Sequence, residues 1–232
     1  IMPCKVSIKE NLQAVRNRII AAAERAGRDP KEIKLVAVIK NVSLGKVFEA
    51  LEDGVSDIGE NRIQEAESRY EEIRKRFPQI TYHMVGHLQR NKVRQALDMF
   101  DIIQSVDSER LAREISERAK RKVPILIEVK TSEEATKYGV PPESAVELLK
   151  IVSNFDNISV QGLMTIAPLV DNPEKTRPYF AKLKKLGEEI KNLNLPNVEM
   201  RFFSMGMTDD FEIAIEEGSN MVRIGRAIFK GE

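Results

Sequence analysis

Cysteine and histidine are both scarce in this chain of 232 residues. The single cysteine, Cys4, has no partner for an intramolecular disulfide, which excludes a disulfide-stabilised scaffold. The two histidines, His83 and His87, are too few for a histidine-rich metal site, and no Cys/His ligand spacing supplements them. The sequence therefore predicts a protein without structural zinc.

Excess charge of one sign and long apolar runs are also absent. The 37 basic residues are balanced by 36 acidic ones, which gives a formal net charge of +1. Because no extended block of one sign occurs, the composition does not support binding of nucleic acid or of an anionic membrane surface. The sequence has neither a secretory apolar region nor a stretch of about 18 apolar residues. We expect a cytoplasmic protein with no membrane partner.

The hydrophobic pattern that is present alternates short apolar runs with amphipathic stretches. An opening helix is indicated by an apolar face at Leu12, Val15, Ile19 and Ala22, and Gly27 ends it. Eight strands are predicted after it, at 35–39, 56–58, 80–85, 101–104, 125–129, 158–163, 198–203 and 221–224. Helices are predicted between them, at 44–51, 63–77, 92–97, 109–120, 142–153, 175–192 and 209–216.

This alternation of strands and helices decides the predicted fold class. Strands that alternate with helices pair in parallel, and eight such units favour a closed (β/α)8 barrel, the TIM barrel, with an extra N-terminal helix. An open doubly wound sheet is the alternative, because the strands at 56–58 and 221–224 have weak patterns. No linker or internal repeat divides the chain. We therefore expect one domain over residues 1–232.

Lys40 is the first candidate functional residue. It ends the apolar run Leu35–Ile39, which is typical of a parallel strand covered on both faces. A partly desolvated lysine amine has a lowered pKa and can attack an aldehyde to form a Schiff base. The alternative is a lysine that marks the end of the strand and extends into water.

A second group of candidates lies near the other end of the chain. Gly206 separates strand seven from the next predicted helix, Gly225 follows strand eight, and phosphate commonly binds at these two loops of a barrel. Thr208 adds a hydroxyl and Arg223 a positive charge, although turn glycines and an ion-paired arginine are the alternatives.

Barrel closure relates the two groups of candidates. Because strand eight pairs with strand one, Lys40 and this anion-binding region are one or two strand spacings apart, about 5–10 Å. A small aromatic aldehyde that carries a phosphate spans that gap, and pyridoxal 5′-phosphate (PLP) is the common cofactor of that kind.

Four ordered motifs resemble one known family. They are Leu35 to Lys40, Gly59-Glu60-Asn61 with Gln64-Glu65, His83 to Gln89 with Asn91-Lys92, and Ser204 to Thr208 with Val222 to Gly225. Together they resemble the pyridoxal phosphate homeostasis protein family, the YggS-like and PROSC-like proteins. The resemblance implies a fold-type III barrel, like the N-terminal domain of alanine racemase, that holds PLP as a Schiff base on Lys40.

The resemblance also implies roles for the other site residues. Asn61 lines the cofactor ring, Ser204, Thr208 and Gly225 help to hold the phosphate, and Arg223 contacts either the phosphate or the ring nitrogen. Asn61 has a second interpretation, as the cap of the helix after strand two. For the histidines we expect His87 to orient a loop and His83 to be a hydrogen-bonded core residue.

Four positions depart from the family pattern. Ile39 and Asn41 flank the lysine where a small hydroxyl residue and a threonine are usual. Arg226 stands where a small hydroxyl residue that contacts the phosphate is usual, and a charge-assisted bond from its guanidinium is the alternative to that contact. Lys130 replaces an asparagine, and an ion pair with Glu128 is the expected role.

The implied function is vitamin B6 homeostasis, by storage of PLP and its delivery to PLP-requiring apoenzymes, with no catalytic residue assigned. A racemase needs acid/base groups on both faces of the substrate carbon. In alanine racemases one group comes from a second domain, for which this chain has no residues left, and its absence favours a monomer. The alternatives are an amino-acid racemase of low activity and a Schiff-base aldolase that acts on a sugar phosphate through Lys40 or Lys130.

Overall fold

Eight parallel strands close into a barrel in the computed structural model, which describes residues 7–133 and 138–229. Cys4 lies outside the described residues. The strands are β1 (Lys34–Val38), β2 (Asp57–Glu60), β3 (Thr81–Met84), β4 (Ile102–Val106), β5 (Val123–Glu128), β6 (Ile158–Met164), β7 (Val198–Ser204) and β8 (Met221–Ile224). The last strand pairs with the first, from Lys34 opposite Met221 to Ala37 opposite Ile224. The predicted closed barrel is confirmed, and the open sheet is excluded.

Helices follow the strands around the barrel. They are α1 (Ile8–Arg25), α2 (Leu44–Glu52), α3 (Ile63–Glu67), α4 (Tyr70–Arg76), α5 (Val93–Met99), α6 (Glu109–Arg118), α7 (Pro142–Val152), α8 (Arg177–Lys191), α9 (Phe211–Glu216) and α10 (Arg226–Phe229). Short 3-10 turns cover Pro30–Glu32, Arg90–Lys92 and Pro173–Thr176. In the described ranges, no helix has the length and apolar character needed to cross a bilayer.

Two helix predictions are wrong in detail. The helix predicted at 63–77 is divided into α3 and α4, because Arg69 leaves the helical conformation with φ −133° and ψ −11°. The helix predicted from residue 209 begins only at Phe211, because Asp210 accepts a hydrogen bond from the Met207 N–H at 2.6 Å and stabilises a turn there. The four-residue α10 had no signal in the apolar periodicity.

The barrel has an inner and an outer core. Alternate strand residues face its interior, where a small apolar cluster contains Val36, Ile102, Leu126, Met164 and Met221. The residues of opposite parity pack under the helices in a much larger cluster. The opening helix α1 begins at a Ser7–Glu10 capping box and packs against α9 and α10. In a barrel filled in this way, a binding site is expected on the loops at the carboxyl ends of the strands.

Candidate functional site

Lys40 lies at the carboxyl end of β1. The Ile39 N–H donates to the Gly59 carbonyl at 2.9 Å, which continues the pairing of β1 with β2 just before the lysine. Lys40 has the same parity as the interior residues Val36 and Val38, and its side chain is exposed at the barrel mouth. Lys40 is therefore an exposed lysine in the turn that follows the carboxyl end of β1.

Asn61 lies beside Lys40. Val38 pairs with Gly59, and each candidate follows its paired residue by two positions on neighbouring strands. The helix α3 has Arg62, not Asn61, at its cap position and no side-chain cap bond, so the capping interpretation of Asn61 is wrong. The loop after β3 packs closely on Asn61, because a Cβ on Gly86 would lie 2.2 Å from the Asn61 carbonyl oxygen.

The loops after β7 and β8 form a small cradle, defined by Gly206, Thr208 and Gly225. Gly206 has φ 95°, and a Cβ there would lie 2.6 Å from the Ala214 Cβ, so only glycine suits the position. A Cβ on Gly225 would lie 3.0 Å from the carbonyl oxygen of Val38, two residues before Lys40. The cradle is therefore in contact with the end of β1, as barrel closure predicts.

Three contacts join the two loops of the cradle. The Arg223 N–H donates to the Gly206 carbonyl at 3.0 Å, and the Ala227 N–H donates to the Thr208 hydroxyl at 3.4 Å. Arg226 forms an ion pair with Asp209. The guanidinium of Arg226 is thus engaged with a carboxylate, and the Asp209 charge that would oppose an anion is paired.

Arg223 occupies the barrel interior below the cradle. Its side chain is only 4% exposed, and its two terminal nitrogens donate to Ser204 Oγ at 2.7 Å and to the Thr165 carbonyl at 2.8 Å. Burial lowers the pKa of Arg223 to about 10, while the nearby Glu128 and Asp210 act in the opposite direction. The guanidinium remains protonated at neutral pH and lies across the barrel towards β6 and β7.

A buried hydrogen-bond chain continues from Arg223 to the other end of the barrel. Ser204 Oγ is 2.6 Å from Gln104 Oε1, Gln104 Nε2 is 2.8 Å from His83 Nδ1, and His83 Nε2 is 2.9 Å from Asp57 Oδ1. Asp57 also accepts hydrogen bonds from Lys34 Nζ at 3.0 Å and from the Ser56 hydroxyl at 2.7 Å. The predicted role of His83 as a hydrogen-bonded core residue is confirmed.

The direction of every bond in this chain follows from Arg223. Because a guanidinium can only donate, Ser204 accepts from it and sends its own proton to the oxygen of Gln104. The amide nitrogen of Gln104 then donates to His83 Nδ1, which leaves the ring proton on Nε2, directed at Asp57. Burial acts to raise the pKa of Asp57, but hydrogen bonds from His83 and Ser56 outweigh it and hold the pKa at about 2. The chain therefore runs from a cation to a fixed anion.

The buried hydrogen-bond chain contains two residues, Gln104 and Asp57, that were not among the predicted site residues. Gln104 is a polar residue within the apolar strand β4, which is the only signal it offers, and Asp57 begins β2 as an unremarkable carboxylate. The Ser204 hydroxyl is engaged by Gln104 and Arg223, and the side chain is fully buried below the cradle.

The remaining candidates surround the mouth. A cavity of about 520 Å³ is lined by Asn61, Met84, Gly86, His87, Gln89 and Tyr138 among others. The ring of His87 stacks on Tyr138 with 3.8 Å between centroids. No ion pair joins Lys130 to Glu128 in the ranges that the structure describes, so the expected pair is wrong. The charged groups that act on the pKa of Glu128 are Asp107 and Arg223. The Lys130 N–H donates to the Val140 carbonyl, and Glu128 is buried at the end of β5.

The chain is similar in sequence to proteins of known family. The family model described as alanine racemase, N-terminal domain, matches residues 10–232. A protein of Aquifex aeolicus named pyridoxal phosphate homeostasis protein is 42% identical over 223 residues, which cover 95% of this chain and 96% of the relative. A protein of the same name from Escherichia coli K12 is 34% identical over 227 residues, 96% of this chain and 95% of the relative.

The fold is also similar to that of solved structures. PipY of Synechococcus elongatus, solved with PLP bound, superposes with a TM-score of 0.85 at 31% identity and covers 96% of this chain and 100% of its own. Alanine racemase from Corynebacterium glutamicum has a TM-score of 0.72 at 18% identity over 95% of this chain and 62% of the racemase. The second likeness concerns the fold alone.

Proposed function

The chain belongs to the pyridoxal phosphate homeostasis protein family, and we propose that it binds PLP as a Schiff base on Lys40 and serves intracellular vitamin B6 homeostasis. The proposal rests on one observation above all: the cradle of Gly206, Thr208 and Gly225 touches the end of the strand that carries Lys40. The covalent group and the anion-binding loops are thus at adjacent strand ends, as a phosphorylated aldehyde requires.

The residues present fit this cofactor. When bound, its aldehyde carbon forms a C=N bond with the Lys40 amine, and the aldehyde oxygen leaves as water. Glycine at 206 and 225 lets the two loops pack closely, against α9 at Gly206 and against the end of β1 at Gly225. The Thr208 hydroxyl lies between these loops, where it accepts the Ala227 N–H. Asn61, directly after the carboxyl end of β2, borders the ring in this arrangement.

Arg223 decides the electronic character of the site in our proposal. Its guanidinium reaches into the barrel towards Ser204 and Thr165, which supports contact with the ring nitrogen more than with the phosphate. A cation at that position disfavours a proton on the ring nitrogen. The ring is then a weak electron sink, which suits a carrier better than a catalyst.

One observation favours a second candidate function, an amino-acid racemase of low activity. Burial raises the pKa of Glu128 to about 7, and the neighbouring Asp107 adds to this effect. A buried carboxyl that titrates near neutral pH is able to hold or release a proton at the mouth. Exchange of the α-proton of amino acids into deuterated solvent, lost in Glu128→Gln, distinguishes this candidate from a carrier.

The remaining features of the proposal concern organisation and partners. We infer a single domain over residues 1–232, a monomer, a cytoplasmic location and PLP-requiring apoenzymes as recipients of the cofactor. The family membership supports delivery, and the balanced net charge of +1 gives no support to nucleic acid as a partner.

Absorption spectroscopy tests the proposed function directly. After incubation with PLP, the wild-type protein is expected to show the visible band of a lysine Schiff base, and Lys40→Ala is expected to lose it. Lys130→Ala is the matched control, because Lys130 follows the carboxyl end of β5 as Lys40 follows that of β1, and its backbone pairing with Val140 does not involve the side chain. Borohydride reduction and peptide mapping should place the label on Lys40. A band that persists in Lys40→Ala would overturn the assignment.

A further inference from the structure

The turn that carries Lys40 has a defined backbone geometry. The Val42 N–H donates to the Ile39 carbonyl at 3.1 Å, so Lys40 and Asn41 form the centre of a four-residue turn. Asn41 has φ 57°, in the left-handed region that asparagine tolerates better than most residues. The departure from the family pattern at this position thus suits the local backbone. The turn lies on the surface, and it needs further contacts to hold one conformation.

Arg69 supplies such contacts from outside the barrel. Its Nη1 donates to both carbonyls that flank the central pair, Ile39 at 3.1 Å and Val42 at 2.9 Å, and its Nε donates to the Glu65 carbonyl at 3.1 Å. The side chain is 11% exposed. Arg69 is also the residue at which the predicted helix is interrupted. The break between α3 and α4 accompanies the direction of this guanidinium towards the turn.

Two carboxyl groups complete the cluster. Glu65 Oε2 accepts the Asn41 N–H at 3.0 Å and lies 3.5 Å from Arg69 Nη2. Glu60, which is fully buried, places Oε1 3.6 Å from the same nitrogen. Burial raises the pKa of Glu60 to about 8, so at neutral pH Glu65 is the anionic partner of Arg69. Three backbone groups around Lys40 are therefore held by one cation and one anion.

We propose that Arg69, together with Glu65, is a positioning residue that fixes the Lys40 turn and thereby favours the covalent bond between Lys40 and PLP. This inference rests on the proposed function of the site. The pair touches the backbone on either side of Lys40 and makes no contact with the cradle of Gly206, Thr208 and Gly225. It therefore acts on the lysine end of the site and not on the phosphate end. Lys40 reaches the aldehyde from a backbone that is already ordered.

Two ligands allow the lysine end and the phosphate end of the site to be tested independently. PLP uses both the lysine and the cradle, whereas pyridoxine 5′-phosphate has no aldehyde and uses the cradle alone. In Arg69→Met we expect the dissociation constant for PLP to rise about tenfold, on the scale of a lost charge-assisted hydrogen bond, while that for pyridoxine 5′-phosphate stays within about twofold. Arg69→Lys should not restore PLP binding, because one ammonium group cannot reach the Ile39, Val42 and Glu65 carbonyls together as the guanidinium does.

A matched control and a second variant complete the test. Arg113→Met removes an arginine on α6 that pairs with Glu109, and it should leave both affinities unchanged. If Arg69→Met does not fold, Glu65→Leu removes the acceptor of the Asn41 N–H, and Glu65→Gln retains it. We then expect weaker PLP binding in the first and near wild-type binding in the second.

The outcomes distinguish this inference from the proposed function. If wild-type protein forms no Schiff base on Lys40, the proposed function fails. If it does, and Arg69→Met binds PLP as tightly as the wild type or loses affinity for both ligands equally, the positioning role is overturned.

Discussion

The substitution Gln104→Leu tests the buried chain that runs from Arg223 to Asp57. Gln104 is fully buried, and its side chain connects the Ser204 hydroxyl to His83 Nδ1. Leucine is similar in length and apolar, so the perturbation removes one acceptor and one donor with little change in packing volume. The hydroxyl proton of Ser204 and the free nitrogen of His83 are then both left without partners.

The expected cost follows from the burial of these groups. An unpaired buried donor or acceptor costs about 1–3 kcal/mol, so the two orphaned groups together lower the free energy of unfolding by about 2–6 kcal/mol. Native domains are stable by about 5–15 kcal/mol, so the loss should be measurable by urea unfolding followed by circular dichroism. Gln13→Leu, on the exposed face of α1, is the matched control and should stay within about 0.5 kcal/mol of the wild type.

A double-mutant cycle makes the test specific to the chain. Ser204→Ala removes one of the orphaned groups, so Gln104→Leu combined with Ser204→Ala should be less destabilised than the sum of the single variants, by about 0.5–3 kcal/mol. An unfolding free energy for Gln104→Leu equal to that of Gln13→Leu would refute the reasoning, and so would strict additivity in the cycle.

Two further predictions concern the mouth of the barrel and its pH dependence. Gly86→Ala should displace the Asn61 backbone, which would lie 2.2 Å from the new Cβ, and weaken PLP binding at least several-fold in a titration; Gly45→Ala, with no atom within 4 Å, should bind PLP normally. For Glu60, burial raises the pKa from 4.5 to about 8, so the folded protein binds more protons than the unfolded chain between these values and stability falls as pH rises through them. Glu60→Gln should reduce that loss by an amount on the order of 2–4 kcal/mol between pH 5 and pH 8, with a smaller fall remaining because Glu128 titrates at about 7. Urea unfolding of the wild type and of Glu60→Gln at pH 5 and pH 8 measures this loss. If the free energy of unfolding falls by the same amount in both proteins, Glu60 is not the group responsible.

Several features of the site follow from local sequence. Apolar runs that alternate with amphipathic stretches are patterns of successive residues, and they determined all eight strands to within a few positions. Once the closed barrel is inferred, residues at strand ends must lie at the same mouth, so Lys40, Gly206 and Gly225 could be brought together without coordinates.

The partners of the polar side chains depended on the tertiary structure. Arg69 was predicted within one continuous helix, because its neighbours have helical periodicity and nothing local shows that its guanidinium binds carbonyls 27 and 30 residues earlier. A phosphate contact was one interpretation of Arg226 from the sequence, and the structure pairs its guanidinium with Asp209 on the adjacent loop. Glu128 and Lys130 share a strand face by parity, but the end of β5 separates their environments.

Hydrophobic periodicity and chain order were therefore sufficient to predict the order of the elements, the closure of the barrel and several of the residues at its mouth. These depend on periodicity and chain order, which are local properties. The hydrogen-bond chain from Arg223 through Ser204, Gln104 and His83 to Asp57 could be identified only in three dimensions, because its five residues come from five different strands. Their contacts depend on register and depth inside the barrel. Periodicity specifies which face a side chain occupies, but it does not specify the height at which side chains from opposite walls meet.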